Sequence, residues 1–275
     1  LRSRTLLRAF LCAALPVSYA TAWGAEAVAE AQGTGSVPAQ TQDAARPGLG
    51  SDIKGYFTAP LRWSGGEWAI FGGVLVAIGA AHHYDSKVRD HFVTPNQVTD
   101  TKDLQDALPA VAVVGATWAY AALVDSSAGR SETWNMVEAA ALSAVPAYAL
   151  KFAAGREGPY QTTDPNQWGK GAGTFPSFHA TAAFAIGTVL AESGNDEFRW
   201  ERRLLGYGLG TVTAYERLNH NAHWFSDVVA GAALGVASGY FVLGRSRERA
   251  VGNSAHLGVL PMPGGLMLTY STTLP

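Results

Sequence analysis

His223 and Asp227 stand four residues apart in the run Arg217-Leu-Asn-His-Asn-Ala-His223-Trp-Phe-Ser-Asp227, a spacing that puts both side chains on one face of a helix. A carboxylate so placed holds one imidazole nitrogen, fixes the tautomer and leaves the other nitrogen free to attack. A second histidine, His179, follows Pro176-Ser177-Phe178, and Lys151 and Arg217 sit at the ends of apolar segments. A phosphoryl group in transfer spreads charge over three oxygens, so it needs placed donors and fixed positive charge. Lys151 and Arg217 supply the charge and Ser177 a hydroxyl. The backbone N–H groups of Phe178 and His179 fall at an expected helix start, where free donors and the helix dipole favour anions. Taken singly, each has a plainer reading: His179 as a helix cap, the His223–Asp227 pair as a core hydrogen bond, His220 as a structural neighbour.

Together the clusters resemble the type 2 phosphatidic acid phosphatase superfamily, whose pattern is Lys-x6-Arg-Pro, then Pro-Ser-Gly-His, then Ser-Arg-x5-His-x3-Asp. Lys151 and Pro159 keep the outer spacing of the first motif, Pro176, Ser177 and His179 the second, and Arg217, His223 and Asp227 the third. Three ordered motifs over about 100 residues are far more specific than any one alone. The chain departs from the pattern at Gly158, Phe178 and Glu216, where the family has arginine, glycine and serine. On a continued helix the position seven after Lys151 would share its face, whereas Arg156 would be turned about 140° away. If Gly155 ends the helix, Arg156 can swing in as a weaker phosphate ligand, with Lys170 as a substitute.

The resemblance implies a phosphatase acting without metal or other cofactor on phosphomonoesters or lipid phosphates. His223 would form a phosphohistidine, Asp227 would orient it, and His179 would protonate the leaving oxygen. Vanadate would bind as a phosphate mimic. Two other readings are a non-catalytic phosphate- or lipid-binding relative, motivated by Gly158 and Phe178, and a vanadate-dependent haloperoxidase. The expected partner is a phosphorylated small molecule or lipid.

The elements that must position these residues read as helices. Phe71, Val74, Leu75 and Ile78 form an i, i+3, i+4, i+7 stripe in a helix over 66–82. Further helices are expected over 104–124, about 134–154 with a cap at Ser131 or Thr133 and a kink at Pro146, 180–191, 204–218 and 227–243. Small residues from Ala230 to Gly239 would let the last pack closely. Residues 155–173 hold five glycines and two prolines and read as a loop in which Tyr160 and Trp168 are candidates for the pocket wall. The fold class is therefore all-α, a bundle of about six core helices in a domain over 51–246. Residues 247–275 form a tail in which 256–260 and 266–272 read as a hairpin. His82, His83, Asp85 and His91 offer metal-ligand chemistry, although histidines also suit a helix C-terminus.

A net charge of −2 over 275 residues and a pI near 6.4 give no basic stripe for nucleic acid. Residues 1–22, with Arg2, Arg4 and Arg8 before an apolar run, read as a secretory signal peptide, and 23–50 as a disordered linker. Cys12, the single cysteine, falls in that leader. Export to the periplasm follows as an expectation. Residues 107–124 and 228–244 are uncharged runs of 18 and 17 residues, close to the length of a membrane span. The leader and a mean hydropathy of +0.05 favour buried helices of a soluble or membrane-surface-associated domain.

Overall fold

A computed structural model describes residues 49–93, 103–194, 196, 198–253, 256–262 and 265–271. The expected signal peptide and nearly all of the expected linker lie outside them. The described residues form α1 (Leu49–Thr58), a 3-10 turn (Ala59–Arg62), α2 (Gly65–His83), α3 (Asp85–Phe92), α4 (Asp103–Leu123), α5 (Ser127–Ala154), α6 (Phe178–Glu192), α7 (Arg199–Asn219) and α8 (Phe225–Asn253). The strands β1 (His256–Met262) and β2 (Gly265–Ser271) follow and pair antiparallel, Val259 opposite Leu268. The class is all-α.

The bundle is built around α6, which packs against α4, α5, α7 and α8 and is buried from Ala183 through Val189. Its neighbours come unusually near because glycines face it. Gly187 of α6 and Gly206 of α7 lie so close that a Cβ on either would meet the other's carbonyl oxygen. Gly231 and Gly235 of α8 rest on the carbonyls of Ser177 and Thr181. Met136, Leu142, Ile186, Val189, Val242 and Leu243 fill the space between α5, α6 and α8.

Two starts differ from the sequence reading. Ser126, not Ser131 or Thr133, caps α5 by accepting the Gly129 N–H at 3.0 Å. Thr133 lies inside the helix, its hydroxyl donating back to the Gly129 carbonyl at 2.9 Å. Helix α7 begins at Arg199, five residues earlier than expected, because Trp200-Glu-Arg-Arg203 makes a polar, partly exposed helical turn that composition alone reads as a connection.

The 107–124 run and the apolar sequence of α2 are mostly not buried, whereas the 228–244 run on α8 is half buried. On α4, Val111, Trp118, Tyr120 and Leu123 are all exposed, Leu123 at 85%. On α2 the only buried residue is Ala81, and Leu75 and Val76 from its apolar sequence face outward. A helix apolar all round and unburied is what a membrane span looks like. Four helices, α2, α4, α5 and α8, hold segments long and apolar enough to cross a membrane. The expectation of buried helices in a soluble domain is corrected accordingly.

Candidate active site

All the motif residues gather at one end of the bundle, where α2, α5 and α7 finish and α4, α6 and α8 begin. Helix α5 ends because Gly155 takes a left-handed conformation (φ 52°), its N–H capping the Lys151 carbonyl at 2.9 Å. This leaves Lys151 in the last turn, its Nζ donating to the Gly173 carbonyl. Ser177, fully buried, caps α6, and its backbone N–H donates to the Asp227 carbonyl at 2.9 Å, tying the starts of α6 and α8 together. Phe178 and His179 occupy the first turn of α6, and the Phe178 ring packs on Tyr148 at 5.1 Å.

His223 lies in the turn between α7 and α8, so the shared helix face expected for His223 and Asp227 is not what joins them. Asn221, at φ 53°, reverses the chain, and the N–H groups of Ala222 and His223 donate back to the Arg217 carbonyl at 3.1 and 3.3 Å. Asp227, in the first turn of α8, then reaches backward. Its Oδ2 accepts the Trp224 N–H at 3.0 Å and lies 3.5 Å from His223 Nδ1. That separation exceeds a normal hydrogen bond, and Nδ1 is buried with no other partner. Burial pushes the His223 pKa down to about 4, Asp227 opposes this, and the charges of Arg217 and Lys151 add to the depression. The imidazole is neutral at pH 7, the form a nucleophile needs.

Arg156 is not where a phosphate ligand would be. Its Nη1 donates to Asp227 Oδ1 at 2.6 Å and Ser226 Oγ at 2.8 Å. Nη2 donates to Asp85 Oδ2 at 2.6 Å and the Pro165 carbonyl at 2.7 Å, and Nε donates to the same carbonyl at 3.1 Å. A guanidinium has five N–H donors, and these contacts occupy all of them. With Trp168 stacked 4.4 Å away, Arg156 bridges two buried aspartates and fixes the carboxylate that faces His223. Trp168 is thus a cover on Arg156, and Lys170 stays exposed on its turn. A Cβ at Gly158 would stand 2.5 Å from the Tyr160 ring and 2.7 Å from the Thr174 methyl, so the missing arginine position is closed by packing.

Two participants carried no usable signal. Asp85 was legible only as a metal ligand, yet it pairs with Arg156 and accepts from the Ser226 N–H and hydroxyl at 2.8 and 2.7 Å. Asp106, in the first turn of α4, accepts from Arg217 Nη1 at 2.6 Å. Among the described residues, no group of three or more His, Cys, Asp or Glu is placed to hold a metal ion.

Comparison with known proteins agrees with the motifs. The PAP2 superfamily model matches residues 132–249, which span most of α5, the loop, and α6 through most of α8. A lipid A 1-phosphatase of Porphyromonas gingivalis is 31% identical over 111 residues, 40% of this chain and 24% of the relative. The chain therefore spans about a quarter of the length of that curated relative. No solved structure matches. Residues 132–249, the segment similar to the PAP2 superfamily, hold Lys151, Ser177, His179, Arg217, His223 and Asp227.

Proposed function

We propose that the chain is a membrane-embedded phosphatase that hydrolyses lipid phosphates through a phosphohistidine. The observation that carries this is the neutral, buried His223, with Asp227 facing one nitrogen at 3.5 Å and Lys151 and Arg217 close enough to bias its protonation. With Nδ1 toward Asp227, Nε2 is the attacking atom. In the first step the Nε2–phosphorus bond forms, the ester P–O bond breaks, and His179 gives its proton to the leaving oxygen. In the second, water attacks phosphorus, its proton passes to His179, and the P–N bond breaks to release phosphate. Lys151, Arg217, the Ser177 hydroxyl and the first N–H groups of α6 stabilise the equatorial oxygens.

Support for a lipid substrate comes from the exposed apolar helices, from the relative named for lipid A, and from the Trp63, Trp68 and Phe71 ring cluster at the start of α2, which suits a membrane interface. The site lies at a bundle end, where a headgroup would meet it. The leader-like pattern of residues 1–22 supports the exported side. Resistance to alkaline extraction from membranes tests the embedding.

The deciding experiment is hydrolysis of p-nitrophenyl phosphate and phosphatidic acid in chelator by the parent and His223→Ala, with acid-quench trapping of a phosphoenzyme. Turnover and an acid-labile phosphoenzyme in the parent, both lost by about 10³-fold or more in the variant, are expected. Equal turnover in the two proteins would overturn the mechanism, and turnover that stops in chelator would overturn its independence of metal. Vanadate is expected to inhibit competitively.

A further inference from the structure

Asp106 belongs to none of the three motifs, yet it sits on the anion site. Its Oδ2 lies 2.6 Å from Arg217 Nη1 and 3.2 Å from His220 Nδ1, with both side chains of the Arg217 pair almost fully buried. His220 turns its other nitrogen to Glu216 at 3.4 Å. The arginine beside the nucleophile is therefore held by the protein's own carboxylate at the distance of a charge-assisted hydrogen bond. An arriving phosphate has the same sign, and in a site screened from water two anions on one guanidinium repel strongly. Asp106 also lines a groove of about 460 Å³ between α4 and α6. Its walls include Val111, Val114, Phe178 and Ile186, with His179 the other polar residue.

We propose that Asp106 is an affinity-setting residue, an internal carboxylate on Arg217 with which a substrate phosphate competes. The inference rests on the phosphatase reading and on Arg217 as a phosphate ligand. Free phosphate gains nothing in exchange for the displaced contact. A phosphate carried on an apolar chain also buries that chain in the adjoining groove, which offsets the cost. Asp106 thus lowers the affinity for every phosphate by the same step, so that released phosphate is held weakly while esters with apolar bodies still bind through the groove.

The test uses the full chain in detergent, with inorganic phosphate and orthovanadate as inhibitors of p-nitrophenyl phosphate hydrolysis. Asp106→Asn keeps the shape and removes the charge. Both inhibition constants are expected to fall about tenfold, while the preference for phosphatidic acid over p-nitrophenyl phosphate in kcat/KM, set by the groove, is expected to stay unchanged. Inhibition constants that stay unchanged or rise would overturn the proposal, because Asp106 would then only hold Arg217 in place. If Asp106→Asn does not fold, Asp106→Ser is read the same way. Arg217→Ala separates the two levels: phosphate inhibition that survives it removes Arg217 from the anion site and the proposal with it. If the parent turns over no phosphate ester the phosphatase reading falls, and calorimetric phosphate binding to the same proteins then decides the role of Asp106.

Discussion

The two ends of the bundle use the same residue types to opposite effect. At the end away from the site, Glu192 is gripped by Arg203 through two bonds of 2.9 Å and by the Tyr207 hydroxyl at 3.0 Å. Glu132 meets Arg202, and Asp52 of α1 is held by Arg245 and Arg249 of α8. Each of these carboxylates is enclosed by cations from a neighbouring segment. The buried atoms without a hydrogen bond there are the Nε groups of Arg202 and Arg249, whose terminal nitrogens are already bonded. At the site end one arginine is shared between two aspartates, a second is held by Asp106, and a titratable ring nitrogen of His223 is left without a hydrogen bond. Buried polar groups are normally satisfied; the closed ion pairs read as structural clamps, whereas the site end leaves Asn221 Oδ1 as well as His223 Nδ1 without a hydrogen bond among the described residues. In a membrane the ends are also where charge is tolerated, while the middle of the bundle is apolar.

The sharpest way to break this contrast is at Arg156, which the structure makes a positioning residue acting through Asp227. Arg156→Ala leaves Asp85 and Asp227 buried without their cation, at a cost of about 3–5 kcal/mol. Arg156→Lys keeps charge but loses the planar fork. It is expected to lower kcat about 10²-fold with little change in KM, and to move the acid limb of the pH profile because Asp227 is no longer fixed. Unchanged kcat with a raised KM would instead make Arg156 a phosphate ligand, as its place in the first motif first suggested.

The second test reads His223 itself. With its pKa near 4 in place of 6.5, kcat/KM should hold as pH falls through 6 and drop only near 4, where the nucleophile protonates. Stability follows the same sign. The unfolded chain binds the proton first, so the contribution of the neutral buried ring is complete above about 6.5 and lost as pH falls toward 4. His223→Gln should flatten that slope in thermal unfolding. An acid limb at 6.5 would show that the ring is hydrated and unperturbed.

The opposite end should give the complementary result. Asp52→Ala removes the carboxylate that Arg245 and Arg249 share, leaving Arg245 with Glu248 and Arg249 with Glu138, and is expected to cost about 1–3 kcal/mol of stability. Measured kcat and KM should be unchanged. A loss of activity at full stability would mean that the clamp between α1 and α8 is coupled to the site.

Much of this arrangement was legible before the fold was known, for identifiable reasons. The helices and the three motifs are local patterns, and the family model covers the same stretch. Asp106 and Arg217 are 111 residues apart, with no periodicity linking them. Arg156, expected to swing into the site once Gly155 ends the helix, turns instead to Asp85 and Asp227, each 71 residues away in sequence, and no local pattern links them. Membrane exposure was hidden because Gly, Ala, Thr and Tyr dilute α4 as they would a buried helix. The outward-facing Trp118 and Leu123 separate the two cases.

Gly158 gives the smallest expected effect and the finest test of the site end. If only the donor were missing, Gly158→Arg would tighten phosphate inhibition. In this fold its Cβ meets the Tyr160 ring and the Thr174 methyl first. Thr174 is buried and its hydroxyl holds the Arg156 carbonyl at 3.1 Å, so the strain falls on the bridge behind Asp227. The single variant is expected to lose about 1–3 kcal/mol of stability without gaining phosphate affinity. Adding Tyr160→Ala frees the half-exposed side of the clash, and a gain in phosphate affinity in the double variant alone would show that packing, not charge, excludes arginine here. A gain in the single variant would mean that the 155–177 loop yields readily, and the contrast between a rigid site end and an adaptable one would have to be redrawn.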